Sequence, residues 1–270
     1  MTGARGPSRA RRPAGRHPRP ESRPPVEIAI RDGVAWITLA RPRTRNRLDA
    51  ELQGALAEAC ATADDAHDVR VVVLGARGPA FSAGLPPRCR WPEPAWPDAV
   101  AAVAKVEKPV IAAVQGDAIG WGVSLALACD LRLASTAASF TLPELRDGRF
   151  PGGGVTQRLP RIVGVARAAE LVLLGSRLPA TTAAAWGLVG AAVPPARLAG
   201  AVEDAARALA ARGPLALRLA KEAVHRALDL PLADGVSLEH DLYVLSQTTE
   251  DRREGIRAFL ERRSPRFTGR

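Results

Sequence analysis

Between residues 26 and 142 short β-branched runs alternate with stretches of helical periodicity, and from 165 onward the strand signal nearly vanishes. Such alternation calls for an α/β layered fold, because each amphipathic helix must bury its apolar stripe on a sheet. The opening is the most explicit part. Residues 26–30 alternate, 33–39 are rich in β-branched and aromatic side chains, and Asp32-Gly33 lies between them, which predicts a hairpin with a tight turn. Asp49 reads as the N-cap of a helix over 50–63, with Leu52, Leu56 and Cys60 on one face, and a strand follows at 71–74. The order then repeats. Asp98 caps a helix over 99–106, a strand covers 110–114, a helix covers 122–128, and strands follow at 131–134 and 139–142. Helices at 168–174, 180–186, 198–211, 214–228, 232–247 and 251–262 make the C-terminal third helical.

A chain of 270 residues with 47% hydrophobic content can bury a substantial core. Its most apolar stretch, around 110–134, is broken by Gln115, Asp117 and Asp130, short of the roughly 20 apolar residues a membrane span requires. No membrane partner is therefore expected. No secretory signal is read at the N-terminus, and Arg11-Arg12 is followed by Pro and Arg rather than an apolar segment. Cys60, Cys89 and Cys129 and the four histidines lack metal-ligand spacing, so the reading is a cytoplasmic protein without a metal.

The net charge of +10 resembles a nucleic-acid signature until it is divided along the chain. Residues 1–25 hold seven arginines, six prolines and a single acid, Glu21, a composition that cannot form a core. The expected organisation is a disordered basic arm over 1–25, a core over 26–195 and a C-terminal helical region over 196–270.

Three segments bear chemistry. Phe81-Ser82-Ala83-Gly84-Leu85-Pro86 follows a strand and is small enough for its backbone to approach a ligand. Gln115-Gly116-Asp117-Ala118-Ile119-Gly120-Trp121-Gly122 leaves a strand and enters a helix, whose N-terminus favours negative charge. Two such loops converging on one point would hold an oxyanion. The third segment, Thr141-Leu142-Pro143-Glu144, places a carboxylate just past a strand and ahead of the Gly-rich run from Phe150 to Pro160.

In this order the segments resemble the crotonase (enoyl-CoA hydratase/isomerase) superfamily, from residue 26 to residue 270. VAWITLARPRTRNRL (34–48) is similar to the family's opening strand and CoA-contacting turn, and KPVIAAVQG (108–116) and LALACDLRLAS (125–135) flank its oxyanion-hole loop. WGLV (186–189) and TEDRREGIRAFLERR (249–263) are similar to later signatures.

The resemblance implies a crotonase-like spiral of ββα repeats with a helical C-terminal trimerisation region, assembled as a homotrimer or hexamer. It implies an acyl-CoA substrate, with coenzyme A part of that substrate and no separate cofactor. The backbone N–H groups of Leu85 and Trp121 would form the oxyanion hole, Glu144 would be the acid/base, and Arg43, Arg45 and Arg47 would meet the CoA phosphates, with Arg266 and Arg270 as further candidates. The segment between Leu85 and Lys108, with Pro86, Pro87, Trp91, Pro92, Pro94, Trp96 and Pro97, would border the acyl pocket.

Two departures narrow the chemistry. The family's hydratases use two glutamates; Glu144 matches the second, and Ser124 stands at the place of the first. A hydroxyl is no base near neutral pH without an activator, so Ser124 would at most orient water or substrate. A lone glutamate resembles the isomerases that shift a 3-enoyl double bond, whereas a Ser and Glu pair resembles the hydroxycinnamoyl-CoA hydratase-lyases, for which Tyr243 is the available assisting tyrosine. The second departure is Trp121, where the family usually has glycine. The non-enzymatic alternative is an RNA-binding or partner-binding homologue acting through the basic arm, and nucleic acid is the lesser reading.

Overall fold

The computed structural model describes residues 24–87, 89 and 98–270. The expected basic arm, apart from its last two residues, and positions 88 and 90–97 of the segment expected to border the acyl pocket lie outside the described residues.

Strands β1 (Val26–Arg31) and β2 (Val34–Leu39) form the opening hairpin. Asp32 and Gly33, both at positive φ (52° and 75°), make the turn, and the register runs from Arg31 opposite Val34 to Val26 opposite Leu39. Helix α1 (Ala50–Asp65) starts where Asp49 accepts the Leu52 N–H at 2.9 Å, and buries Leu52, Leu56, Ala59, Cys60 and Ala63 at helical spacing.

Thereafter each turn of the chain supplies two strands and a helix. The turns are β3 (Val71–Ala76), β4 (Ala80–Ser82) and α2 (Ala99–Lys105); β5 (Val110–Val114), β6 (Asp117–Ile119) and α3 (Trp121–Leu127); and β7 (Leu131–Ser135), β8 (Ser139–Thr141) and α4 (Val155–Val163). The first strand of each turn joins a six-stranded sheet, ordered β1-β2-β3-β5-β7 and closed by β10 (Ala191–Val193). The second joins a four-stranded sheet, ordered β4-β6-β8 and closed by β9 (Leu178–Pro179). Helices α5 (Val165–Leu174) and α6 (Ala180–Ala185) lie on either side of β9 in sequence. The chain is therefore a spiral of ββα repeats, as expected. The main core fills its interior, with Phe81, Phe140, Leu125 and Leu142 fully buried.

Some elements differ from expectation. The three-residue strands β4 and β6 were not read, because such short runs show no alternation to detect. Helix α4 occupies part of the segment read as a Gly-rich turn. It begins after Gly154 (φ 77°) and contains Pro160, yet buries Val155, Leu159 and Val163, and that apolar stripe prevails over the proline.

Helix α7 (Pro195–Ala210) packs Leu198, Val202, Ala206 and Ala210 against Val34, Val71, Val73 and Ile111 of the larger sheet. Helices α8 (Pro214–Arg226), α9 (Leu232–Gln247) and α10 (Glu250–Leu260) lie beyond it. Lys221 anchors α8 by pairing with Asp130 at 2.7 Å and donating to the carbonyls of Val106 and Lys108 at 2.7 and 2.8 Å. Buried Asp251 on α10 ties down the C-terminal tail, accepting the N–H groups of Thr268 and Gly269 at 2.6 and 3.0 Å. Among the described residues no helix is long and apolar enough to cross a membrane.

Candidate active site

Strands β4, β6 and β8 run parallel in the smaller sheet, so the segments leaving their C-terminal ends emerge together. The first, Ala83-Gly84-Leu85, is held by the turn expected to contact CoA, through Asn46, which carries no expected role. Asn46 is fully buried at φ 53°; its side chain accepts the Arg41 N–H at 2.9 Å and donates to the carbonyls of Arg77 and Ala80 at 3.0 and 2.9 Å. Ser82 Oγ donates to the Asn46 carbonyl at 2.8 Å, the Gly84 N–H donates to Ser82 Oγ, and the Leu48 N–H donates to the Gly84 carbonyl at 2.9 Å. Among the described residues the Leu85 N–H donates to no acceptor.

The second segment passes within van der Waals contact of the first. A Cβ on Gly84 (φ 71°) would lie 2.5 Å from the Ile119 carbonyl oxygen and 3.1 Å from the Trp121 nitrogen, so only glycine permits this approach. Gly120 (φ 55°) turns the chain from β6 into α3, and its N–H donates to the Thr141 carbonyl at 2.8 Å, tying the second segment to the third. Leu85 and Trp121, separate in sequence, thereby share one corner of the structure, with Trp121 at the positive end of the α3 dipole.

Glu144 follows β8 by way of Leu142 and Pro143. Its carbonyl accepts the N–H groups of Asp147 and Arg149 at 3.1 and 2.8 Å, closing a tight turn that aims the side chain inward. A Cβ on Gly120 would run into Glu144 Oε1, so the carboxylate abuts the second segment. Glu144 is only 4% exposed and its Oε2 has no hydrogen-bond partner among the described residues. Buried carboxylate oxygens are ordinarily satisfied, so an unpaired one on a cavity-lining residue calls for an explanation. Burial raises its pKa above the usual carboxylate range; its own N–H and nearby Arg149 oppose that rise, and Asp147 adds to it.

Ser124 does not face this cavity. Its hydroxyl is 1% exposed and donates to the Gly152 carbonyl at 2.9 Å, fastening α3 to the Gly-rich run before α4. The Trp121 indole is 4% exposed and occupies the same space; Cβ atoms on Gly152 and Gly153 would lie 2.8 Å from Trp121 Cζ2 and Ser124 Cβ. The two glycines are the complement of the indole. Ser124 and the indole thus form a packed wall with the backbone of the Gly-rich run.

A cavity of about 380 Å³ joins these parts, lined by Gly84, Leu85, Gly120, Trp121 and Glu144, and further by Cys89, Ile119, Arg149 and Phe150. Arg149 and Cys89 were not singled out from the sequence. Of the other candidates, Arg43 is exposed, Arg47 half-buried, and Arg45 pairs with Asp117 at 2.9 Å. Asp117 also accepts from Ser139 at 2.7 Å and from Arg177 at 3.3 Å, so Arg45 is part of a surface network. None of the three lines the cavity, though their turn is bonded to the Gly84 segment. Tyr243 lies on α9, 60% exposed and outside the cavity wall, and Arg266 and Arg270 are exposed on the C-terminal tail. Burial pushes the Cys60 thiol up to about 12 and the Cys129 thiol higher still, leaving both protonated packing residues.

Comparison with known proteins places this geometry in a wider set. The family model described as enoyl-CoA hydratase/isomerase matches residues 29–270. (E)-benzylidenesuccinyl-CoA hydratase of Thauera aromatica is 38% identical over 259 residues, covering 91% of this chain and 99% of that protein. An enoyl-CoA hydratase structure from Geobacillus kaustophilus superposes with a TM-score of 0.85 at 40% identity, covering 91% of this chain and 98% of that one. One from Bacillus anthracis gives 0.86 at 35% identity, with 91% and 100% covered.

Proposed function

Since the chain belongs to the enoyl-CoA hydratase/isomerase family, we propose that it is a one-base enzyme that isomerises 3-enoyl-CoA to 2-enoyl-CoA through Glu144. The supporting observation is the buried, unpartnered Glu144 carboxylate beside the converging Leu85 and Trp121 backbones, with Ser124 committed to Gly152. In this reading the thioester oxygen accepts the N–H groups of Leu85 and Trp121. Glu144 takes a proton from C2, the electron pair moves onto the thioester oxygen, and the enolate is stabilised by about 3 kcal/mol per preorganised donor. As the carbonyl re-forms, the double bond settles between C2 and C3 and Glu144 returns the proton to C4. No separate cofactor enters this sequence.

The relatives' names favour a second reading, in which Glu144 alone activates water for addition to a 2-enoyl thioester. A panel of 2-enoyl-, 3-enoyl- and aromatic acyl-CoA followed by liquid chromatography with mass spectrometry separates the two. Conversion of 3-enoyl-CoA without mass change is expected; gain of one water on 2-enoyl-CoA, with 3-enoyl-CoA untouched, would establish the hydratase instead. Neither a hydratase-lyase nor a nucleic-acid-binding protein is favoured by the comparisons.

The same family reading supports assembly. Helices α8 and α9 bury no residue in the single chain, and Val224, Leu232, Val236, Tyr243, Phe259 and Leu260 are all more than half exposed. Apolar exposure of this extent needs a partner, and a homotrimer, or two stacked as a hexamer, would cover it. Light scattering of the full chain is expected to give three or six protomer masses; a monomer would contradict this.

A further inference from the structure

We propose that Arg149 is a specificity-determining residue that receives a second carboxylate, borne on the acyl group of the thioester. The proposal rests on the reading of the Glu144 cavity as the acyl site and names the acyl class that site takes.

Arg149 shares the cavity with Glu144, and its backbone N–H is fixed to the Glu144 carbonyl at 2.8 Å. The rest of the wall is largely apolar, from Leu85, Ile119, Trp121 and Phe150. A pocket made only for a hydrocarbon acyl chain gains nothing from a guanidinium, which loses part of its hydration when the substrate enters. Among the described residues its one side-chain partner is Asp147, accepting from Nη2 at 2.7 Å, with the two side chains 38% and 48% exposed. An ion pair this open to solvent stabilises little and yields easily to a competing anion. Nε and Nη1 donate to no acceptor among the described residues, so the second N–H of Nη2, with the free nitrogen beside it, offers one edge of the planar fork for two-point recognition of a carboxylate.

The phosphates of CoA are the other source of anionic oxygen. The pantetheine arm separates them from the thioester, whereas Arg149 and Glu144 line a single cavity of about 380 Å³. That places Arg149 with the acyl group.

Calorimetric binding of saturated acyl-CoA pairs to the full chain tests this without requiring turnover. One member ends in a carboxylate, the other in a methyl group of the same chain length, and free CoA is the third arm. Wild type is expected to bind the carboxylated member more tightly. Arg149→Gln should reduce that preference about 10- to 100-fold, the range for loss of a charge-assisted contact, and Arg149→Lys should restore part of it. A preference left unchanged by Arg149→Gln overturns the proposal. So does an equal loss for both members and for free CoA, which would make Arg149 a phosphate contact. Binding of either member without any Glu144-dependent chemistry would instead count against the catalytic reading and leave the assignment of Arg149 intact.

Discussion

Glu144→Gln should lower kcat by about 10³-fold or more, within the range for loss of a positioned acid/base, while acyl-CoA affinity stays close to wild type. The amide keeps the shape of the side chain but cannot accept the C2 proton. A change in KM with kcat preserved would remove Glu144 from the chemistry. The pH dependence follows from the raised pKa of the buried carboxyl. The base must be ionised, so wild-type kcat/KM should fall as pH drops through a value above the ordinary glutamate pKa of about 4.3, and the residual rate of Glu144→Gln should lack that limb. Stability should move the opposite way. A folded-state pKa raised above the unfolded one favours the fold below the unfolded value, and this contribution is lost as pH rises through the folded value. At neutral pH Glu144→Gln should therefore melt at the same or a higher temperature than wild type, with the difference shrinking in acid.

Gly84→Ala is expected to lose 10²- to 10³-fold in kcat, the effect of displacing one oxyanion donor, and to destabilise the protein by about 1–3 kcal/mol. Two costs add. An alanine at φ 71° is strained, and its Cβ would press on the Ile119 carbonyl, which belongs to backbone held by the β6 to β8 pairing and the Gly120 to Thr141 hydrogen bond. The two segments would be forced apart at the point where Leu85 and Trp121 meet. Steady-state kinetics with thermal denaturation measures both, and activity within twofold of wild type would show that this approach does not form the oxyanion site.

Much of the fold could be read from the chain because the decisive signals were local. Asp32-Gly33 specified the hairpin through turn chemistry, and the carboxylates of Asp49 and Asp98 cap helices by accepting from residues three further on. Helix α9 runs over the expected 232–247. What was not legible depends on pairs far apart in sequence. That Gly84 admits the Ile119 backbone, that Gly120 leaves room for the Glu144 carboxylate, and that Gly152 and Gly153 complement the Trp121 indole are facts of packing across the spiral. Each reads in the sequence only as a glycine beside a motif. Asn46 was visible within the 34–48 signature, but its buried bonds to Arg77 and Ala80 were not. Arg149 lies between Glu144 and the Gly-rich run and passes for a surface charge until the turn brings it to the cavity.

The central claim is that Glu144 removes a proton next to a thioester whose oxygen is held by the two backbone segments. Exchange of the C2 hydrogens of a saturated acyl-CoA in D₂O, followed by NMR with wild type and with Glu144→Gln at equal occupancy, measures that step without dependence on the final product. The account predicts deuterium at C2 with wild type and a rate lower by about 10³-fold with the variant. Equal exchange in the two would show that another group moves the proton.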